Sequence, residues 1–162
     1  MSHVSRLTQE LGALLHVQRV ASLGTIGDEG AALVSMVPFA LAPQFGCLVI
    51  HVSDLAAHTS NLEMRPRVSL LIMQTDLPGE PVHALPRVTF DGVAKVLRRD
   101  SEPWQGCRTA YLRRFPDVDF MMQFPDFKLV SIEVTAARQV AGFGSARSIE
   151  GDELRRVLGH GP

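Results

Sequence analysis

Residues 51 to 62, HVSDLAAHTSNL, place two histidines, three hydroxyl side chains, an aspartate and an asparagine within twelve positions. Three chemistries compete for such a stretch: imidazole and carboxylate metal ligation, nucleophilic catalysis by a hydroxyl beside a histidine, and anion binding by hydroxyls and backbone N–H groups. Zinc is poorly served. His51 and His58 stand seven apart with no His-Glu-x-x-His pattern and no cysteine partner, and a structural zinc needs four ligands. The simplest roles for the two are packing of His58 on a helical stripe with Leu55 and Leu62, and a hydrogen-bonded His51 on a half-buried strand.

Nucleophilic and dinucleotide readings find less. FGSA at 143 to 146 lacks the Gly-x-Ser-x-Gly elbow, so Ser145 reads as a turn residue. AGFG is too short for a dinucleotide fingerprint and no acidic residue follows at the required strand end. An anion is better provided for. A strand ending at Ser53 and running straight into a helix presents unpaired N–H groups where the helix dipole favours negative charge. Hydroxyls of Ser53, Thr59 and Ser60 add donors, Ser35 lies on the neighbouring strand, and Arg87 offers a guanidinium fork.

The elements that must hold these groups follow from periodicity. Leu7, Leu11, Leu14 and Leu15 recur at helical spacing after a Ser5 cap, giving an N-terminal helix over about 5–19 that covers a sheet or barrel mouth. Two strands, Ala21 to Ile26 and Ala32 to Phe39, flank the turn Gly27 to Gly30. GCLVIHVS is a third strand with Cys47, Val49, His51 and Ser53 on one face and Leu48, Ile50 and Val52 on the other. Ser53 and Asp54 offer caps to a helix reaching about Met64, which stops before Pro66. RVSLLIM, 67 to 73, is apolar on both faces, so it sits centrally in a sheet or closes a barrel.

The proline-rich stretch 74 to 86 is a loop. RVTFDGVAKVL alternates Val88, Phe90 and Ala94 inward against Arg87, Thr89, Asp91 and Lys95, with Gly92 marking a bulge. A helix spans Glu102 to Phe115, and its Trp104, Tyr111 and Phe115 form a stripe suited to a core or an interface. A last long strand starts at Phe127 with a break near Ala137, and the tail of about 148–162 carries a short helix from Ser148 to Leu158. Six short strands with helices at particular joints make a single antiparallel, mainly β barrel domain over 1–162; strands one to three are too close for helical crossovers.

With 16 basic and 17 acidic side chains the chain carries a net charge of -1, so nothing in bulk draws it to nucleic acid or an anionic membrane. No apolar run of spanning length and no secretory leader pattern appear, and Cys47 and Cys107 lack metal or redox spacing. Cytoplasm and two free thiols are the expectation.

The ordered motifs ASLGTI, VSMVPFAL, LVIHVSDLAAHTSNL, PRVSLLIM and PRVTFDGVAKVL resemble the FMN-binding split-barrel proteins related to pyridoxamine 5'-phosphate oxidase. HVSDLAAHTSNL, YLRRFPDVDFMMQFPDF and VAGFGSAR are similar to the haem-utilisation branch of that superfamily, and the likeness runs over roughly residues 15 to 150. It implies a six-stranded split barrel that dimerises, with cofactor sites at the subunit interface. It implies too a flavin-dependent oxidoreductase acting with a small-molecule substrate or electron donor. Carried over by position, FMN would meet Val34, Ser35, Met36, Ser53, His58, Thr59 and Arg87. Where oxidases of the family place arginine and lysine, this chain has Ser35, His58 and Thr59, so the phosphate would be neutralised less completely; each charge-assisted contact is worth about 1.5–3 kcal/mol. The same branch implies haem as the alternative cofactor, degraded or merely sequestered. His160 would then be the iron ligand, and Asp126 the carboxylate that orients it.

Overall fold

The computed structural model of the chain describes residues 5–159. The elements run α1 (Arg6–Val17), β1 (Val20–Ile26), β2 (Ala32–Ala42), β3 (Cys47–Ser53), α2 (Ala57–Met64), β4 (Arg67–Met73), β5 (Arg87–Val96), α3 (Glu102–Arg114), β6 (Phe127–Val140), β7 (Ala146–Ile149) and α4 (Gly151–Gly159). All strand pairs are antiparallel, in the order β3-β2-β1-β4-β5-β6-β7, and β3 pairs again with β6. That second pairing closes six strands into the expected mainly β barrel and leaves no open edge among them.

Closure depends on β6, which serves two neighbours along one edge. Phe127 to Ile132 pairs with β3, whereas Ala137 to Val140 pairs with β7. Between these halves the register against β5 slips: Asp91 faces Ala136 and Gly92 faces Val134, which leaves Thr135 as the extra residue. A bulge of this kind bends a strand and increases its twist, and here the strand leaves the barrel. The break expected near Ala137 is therefore a bulge in a continuous strand. Gly92 opposite it has a steric reason: a Cβ there would meet the Glu133 carbonyl oxygen at 2.6 Å and Ile132 Cγ2 at 2.8 Å.

Period-two alternation sends Leu23, Phe39, Leu48, Ile50, Leu70, Ile72, Val88, Phe90 and Ile132 into one core, to which α1 adds Leu11 and Leu15 and α4 adds Leu154 and Leu158. The other face of β2 and β3 is apolar as well. Ala40, Ala42, Cys47 and Val49 pack with Leu129 under α3, which contributes Cys107, Tyr111 and Phe115, with Trp104 against them. The aromatic stripe of α3 is thus core, and Cys47 and Cys107 are free thiols buried beneath it.

Three expectations change. A seventh strand, β7, occupies the start of the tail, and α4 begins only at Gly151, whose positive φ of 59° suits glycine. The helix after β3 starts at Ala57, capped by Ala56 with no side-chain bond, so Ser53 is not its N-cap. Leu55 precedes the helix and is exposed, and the Leu55–His58–Leu62 stripe does not form. Strand β2, finally, runs on to Ala42 rather than ending at Phe39.

Outside the barrel, α3 covers only part of the sheet. Residues facing outward from β1, the first half of β2, β4 and β5 have no cover among the described residues. Cross-strand pairing sets them in rows: Val34, Gly24, Ser69 and Asp91 in one, Met36, Ser22, Leu71 and Thr89 in the next. Val34 is 70% and Met36 65% exposed on this face, an unusual placement for large apolar side chains side by side.

Candidate functional site

The seven residues singled out for a cofactor fall on two sides of one strand. Alternation along β2 turns Val34 and Met36 onto the bare outer face and Ser35 the other way, toward α2. Arg87, opening β5, shares the outer face with Val34 and Met36, but two strands lie between β2 and β5, three spacings or about 14 Å. Its guanidinium donates to the carbonyls of Leu85 at 2.9 Å and His83 at 3.4 Å.

The inner group converges. Ser35 Oγ and His58 Nδ1 are 2.9 Å apart. Thr59, fully buried, donates its hydroxyl to the Ser53 carbonyl at 2.6 Å, and Ser53 Oγ accepts the Leu55 N–H at 3.2 Å. Residues 54–56 thus fold back as a turn before α2, and the Thr59 and Ser53 side chains are engaged within the chain. Two further bonds run along the same face of α2: Asn61 Nδ2 donates to the buried Thr25 Oγ1 at 3.1 Å, and Arg65 pairs with Asp28 at 3.1 Å. His58, Asn61 and Arg65 follow the i, i+3, i+7 spacing that puts residues on one helical face, a signal present in the sequence and missed there.

Charge at this junction is already balanced. Lys128 Nζ sits 2.7 Å from both Asp54 and Glu63. At the far end of α2, Arg65 is held by Asp28. His58 brings no charge at neutral pH, because burial lowers its pKa. On the far side of β3, His51 packs between Tyr111 and Phe127, with ring centroids 5.8 and 5.0 Å away. Burial first, then the nearby Arg99 charge, pushes its pKa down to about 4, so this imidazole is also neutral. Among the described residues no group of histidine, cysteine and carboxylate side chains is arranged to hold a metal ion. His160 lies outside the described residues. Asp126 contributes its backbone carbonyl to the Asp54 N–H at 2.7 Å.

The outer face offers the more open surface. A groove of about 850 Å³ runs across it, lined by Gly24, Val34, Arg67, Ser69, Asp91 and Val93 among others. Small residues at Gly24 and Ser69 make the depression, Ser69 donates to the Asp91 carboxylate, and Arg67 at its edge has no hydrogen-bond or ion-pair partner among the described residues. Arg138, level with Thr89, adds a second exposed guanidinium to this face. The arrangement is an apolar platform with cations at its margin. It suits a flat apolar body with an acidic edge, or the same face of another chain.

Residues 7–141 match the family model described as pyridoxamine 5'-phosphate oxidase. The chain is 33% identical over 150 residues to "Heme oxygenase HutZ" of Vibrio cholerae, spanning 92% of this chain and 84% of that one. A solved structure of that relative, described as the heme storage protein, superposes with a TM-score of 0.74 at 29% identity, over 80% of this chain and 91% of its own. A heme binding protein from Mycobacterium smegmatis gives a TM-score of 0.83 at 28% identity, over 95% of this chain and 62% of its own. A chloroplast protein of Arabidopsis thaliana described as a non-canonical heme oxygenase is 32% identical over 85% of this chain, which spans 41% of that longer protein. Among the described residues no helix is long and apolar enough to cross a membrane.

Proposed function

The chain belongs to the pyridoxamine 5'-phosphate oxidase family of split barrels, and from that premise we propose that it is a homodimeric haem-binding protein that degrades haem. The observation that carries the choice of haem over flavin is the pairing of charge at the β3–α2 junction. Lys128 is engaged by Asp54 and Glu63 and His58 is neutral, so among the described residues a phosphate there would meet no unpaired cation. The outer face supplies the complement. Val34 and Met36 give an apolar bed, and Arg67 and Arg138 are placed to meet carboxylates at the edge of a macrocycle. The heme oxygenase and heme binding descriptions of the relatives support the same reading.

Burying that apolar face against a second copy would exclude water from a cofactor lying between them. Haem, when bound, supplies iron for oxygen chemistry. His51 is covered by α3 and His58 meets Ser35, so neither of these imidazoles opens onto the bare part of the outer face. The iron ligand we propose, from the resemblance to the haem-utilisation branch, is His160, with the Asp126 carboxylate as its orienting partner.

FMN is the second reading, favoured by the family match itself. It would use the outer-face residues Val34, Met36 and Arg87 and the junction residues Ser35, Ser53, His58 and Thr59. A third reading, storage without turnover, draws on the description of the Vibrio relative's structure. Absorption spectra separate the three. Haemin should give a Soret band that His160→Ala weakens, and the band should bleach under a reductant and oxygen. A stable Soret band under those conditions leaves storage, and flavin bands shifting on added FMN without haemin binding would replace haem by flavin.

A further inference from the structure

Away from the outer face, α1, α3, α4 and the last part of β2 surround an open cavity of about 540 Å³. Four of its lining side chains are basic: His16, Arg19, Arg113 and Arg114, and among the described residues no acidic side chain lines it. Arg114 is committed, since its guanidinium donates to the carbonyls of Leu15 at 3.1 Å, His16 at 3.2 Å and Gln18, which terminates α1. Arg19 lies over the Phe115 ring at 4.9 Å, a contact that leaves its N–H groups free. Arg113 has no hydrogen-bond or ion-pair partner among the described residues. The rest of the wall is apolar, with Leu41, Ala110 and Val157.

Gly12 lies on the wall of the same cavity. It stands in the interior of α1, where glycine is less favourable than alanine, yet its backbone is helical and a Cβ would meet nothing within 4 Å. Neither a turn nor a close approach explains it. Its effect is to leave the cavity wall open, because Gly12 is one of the lining residues.

We infer that this cavity binds an amphipathic monocarboxylate of fatty-acid type, the acyl chain against Leu41, Ala110 and Val157 and the carboxylate between Arg19 and Arg113. The volume falls within the range of small-molecule sites, which combine an apolar lining with a few polar groups that fix orientation. Two guanidinium groups with no carboxylate partner among the described residues create the positive potential that an anionic head relieves; Arg114 already feels Arg19, whose charge, after burial, lowers its pKa. Guanidinium is also the group that matches a carboxylate with two parallel bonds.

Calorimetric titration of the full chain with decanoate and with decanol tests this. Decanoate should bind once per chain and at least about tenfold more tightly than decanol, since only the acid engages the guanidinium groups. Arg113→Glu, a change at an exposed unpaired residue, should weaken decanoate about tenfold or more. Gly12→Trp should fill the opening and abolish binding, while Gly12→Ala, whose Cβ enters free space, should bind as the parent does. Thermal unfolding confirms that each variant is folded; if Gly12→Trp is not, Arg113→Glu decides. Absence of decanoate binding, equal binding of decanol, indifference to Arg113→Glu, or displacement of decanoate by haemin would each overturn the assignment.

Discussion

Replacing both Val34 and Met36 with serine should split the proposed dimer and release the proposed cofactor together. The two side chains are 70% and 65% exposed in the single chain. Complete burial of such a side chain is worth about 1.5–3 kcal/mol, so roughly two-thirds of that, about 1–2 kcal/mol, remains to be gained by each on association. A twofold interface uses the same patch on both partners, so four side chains contribute and the gross loss is about 4–8 kcal/mol. At 1.4 kcal/mol per tenfold, the dissociation constant should rise about 10³- to 10⁶-fold. Interface contributions do not simply add, so a rise of about a hundredfold is the least the reasoning permits. Sedimentation velocity over a dilution series measures the dimer, and haemin titration on the same samples measures the site. A variant that stays dimeric and binds haemin like the parent would refute both the interface and the platform.

Other consequences follow from single contacts. Gly92→Ala drives a methyl into the Glu133 carbonyl, 2.6 Å from its Cβ, across the β5–β6 pairing; overpacking of this kind removes about 1–3 kcal/mol, and unfolding should move down by roughly 2–12 °C. Asn61→Leu strands the buried Thr25 hydroxyl, and urea unfolding should show a loss of about 1–3 kcal/mol with no change in dimerisation. His51 has its pKa pushed down to about 4, whereas the unfolded chain's histidines take up protons below about 6.5, so the unfolded state binds more protons in that window. Stability present above pH 6.5 should therefore fall as pH drops toward 4, and His51→Phe, which suits the Tyr111 and Phe127 neighbours, should flatten that slope. Equal slopes in parent and variant would remove His51 from the account.

Strand periodicity made the barrel readable because alternation is a local property: β4 was legible to the residue from RVSLLIM, and the inward set Val88, Phe90 and Ala94 from β5 alone. The seventh strand was not, since ARSI has a burial pattern too short to alternate and exists only because β6 leaves the barrel at Thr135 and exposes an edge. The start of α2 was misplaced for a similar reason. Ser53 is a good cap by type, but its carbonyl is taken by the Ala56 N–H and the Thr59 hydroxyl, which turns the chain before the helix begins. The pairing of Lys128 with Asp54 and Glu63 joins residues 65 to 74 positions apart, beyond any spacing rule.

That pairing is what changes the meaning of HVSDLAAHTSNL. Read as a sequence it gathers donors around a helix start, yet in the fold the side chains of α2 already have internal partners: His58 meets Ser35, Thr59 meets Ser53, Asn61 meets Thr25. A polar group engaged inside the chain gains little from an external anion, because one hydrogen bond is exchanged for another. The segment's work is therefore to clamp α2 onto the β1–β2 hairpin. The clamp holds Ser35 on one side of β2, and alternation then obliges Val34 and Met36 to stand on the other, bare and side by side. If Ser35→Ala and Asn61→Leu are combined, haemin affinity should fall although neither residue faces the proposed cofactor. A double variant that keeps full affinity would show that the platform does not depend on the clamp.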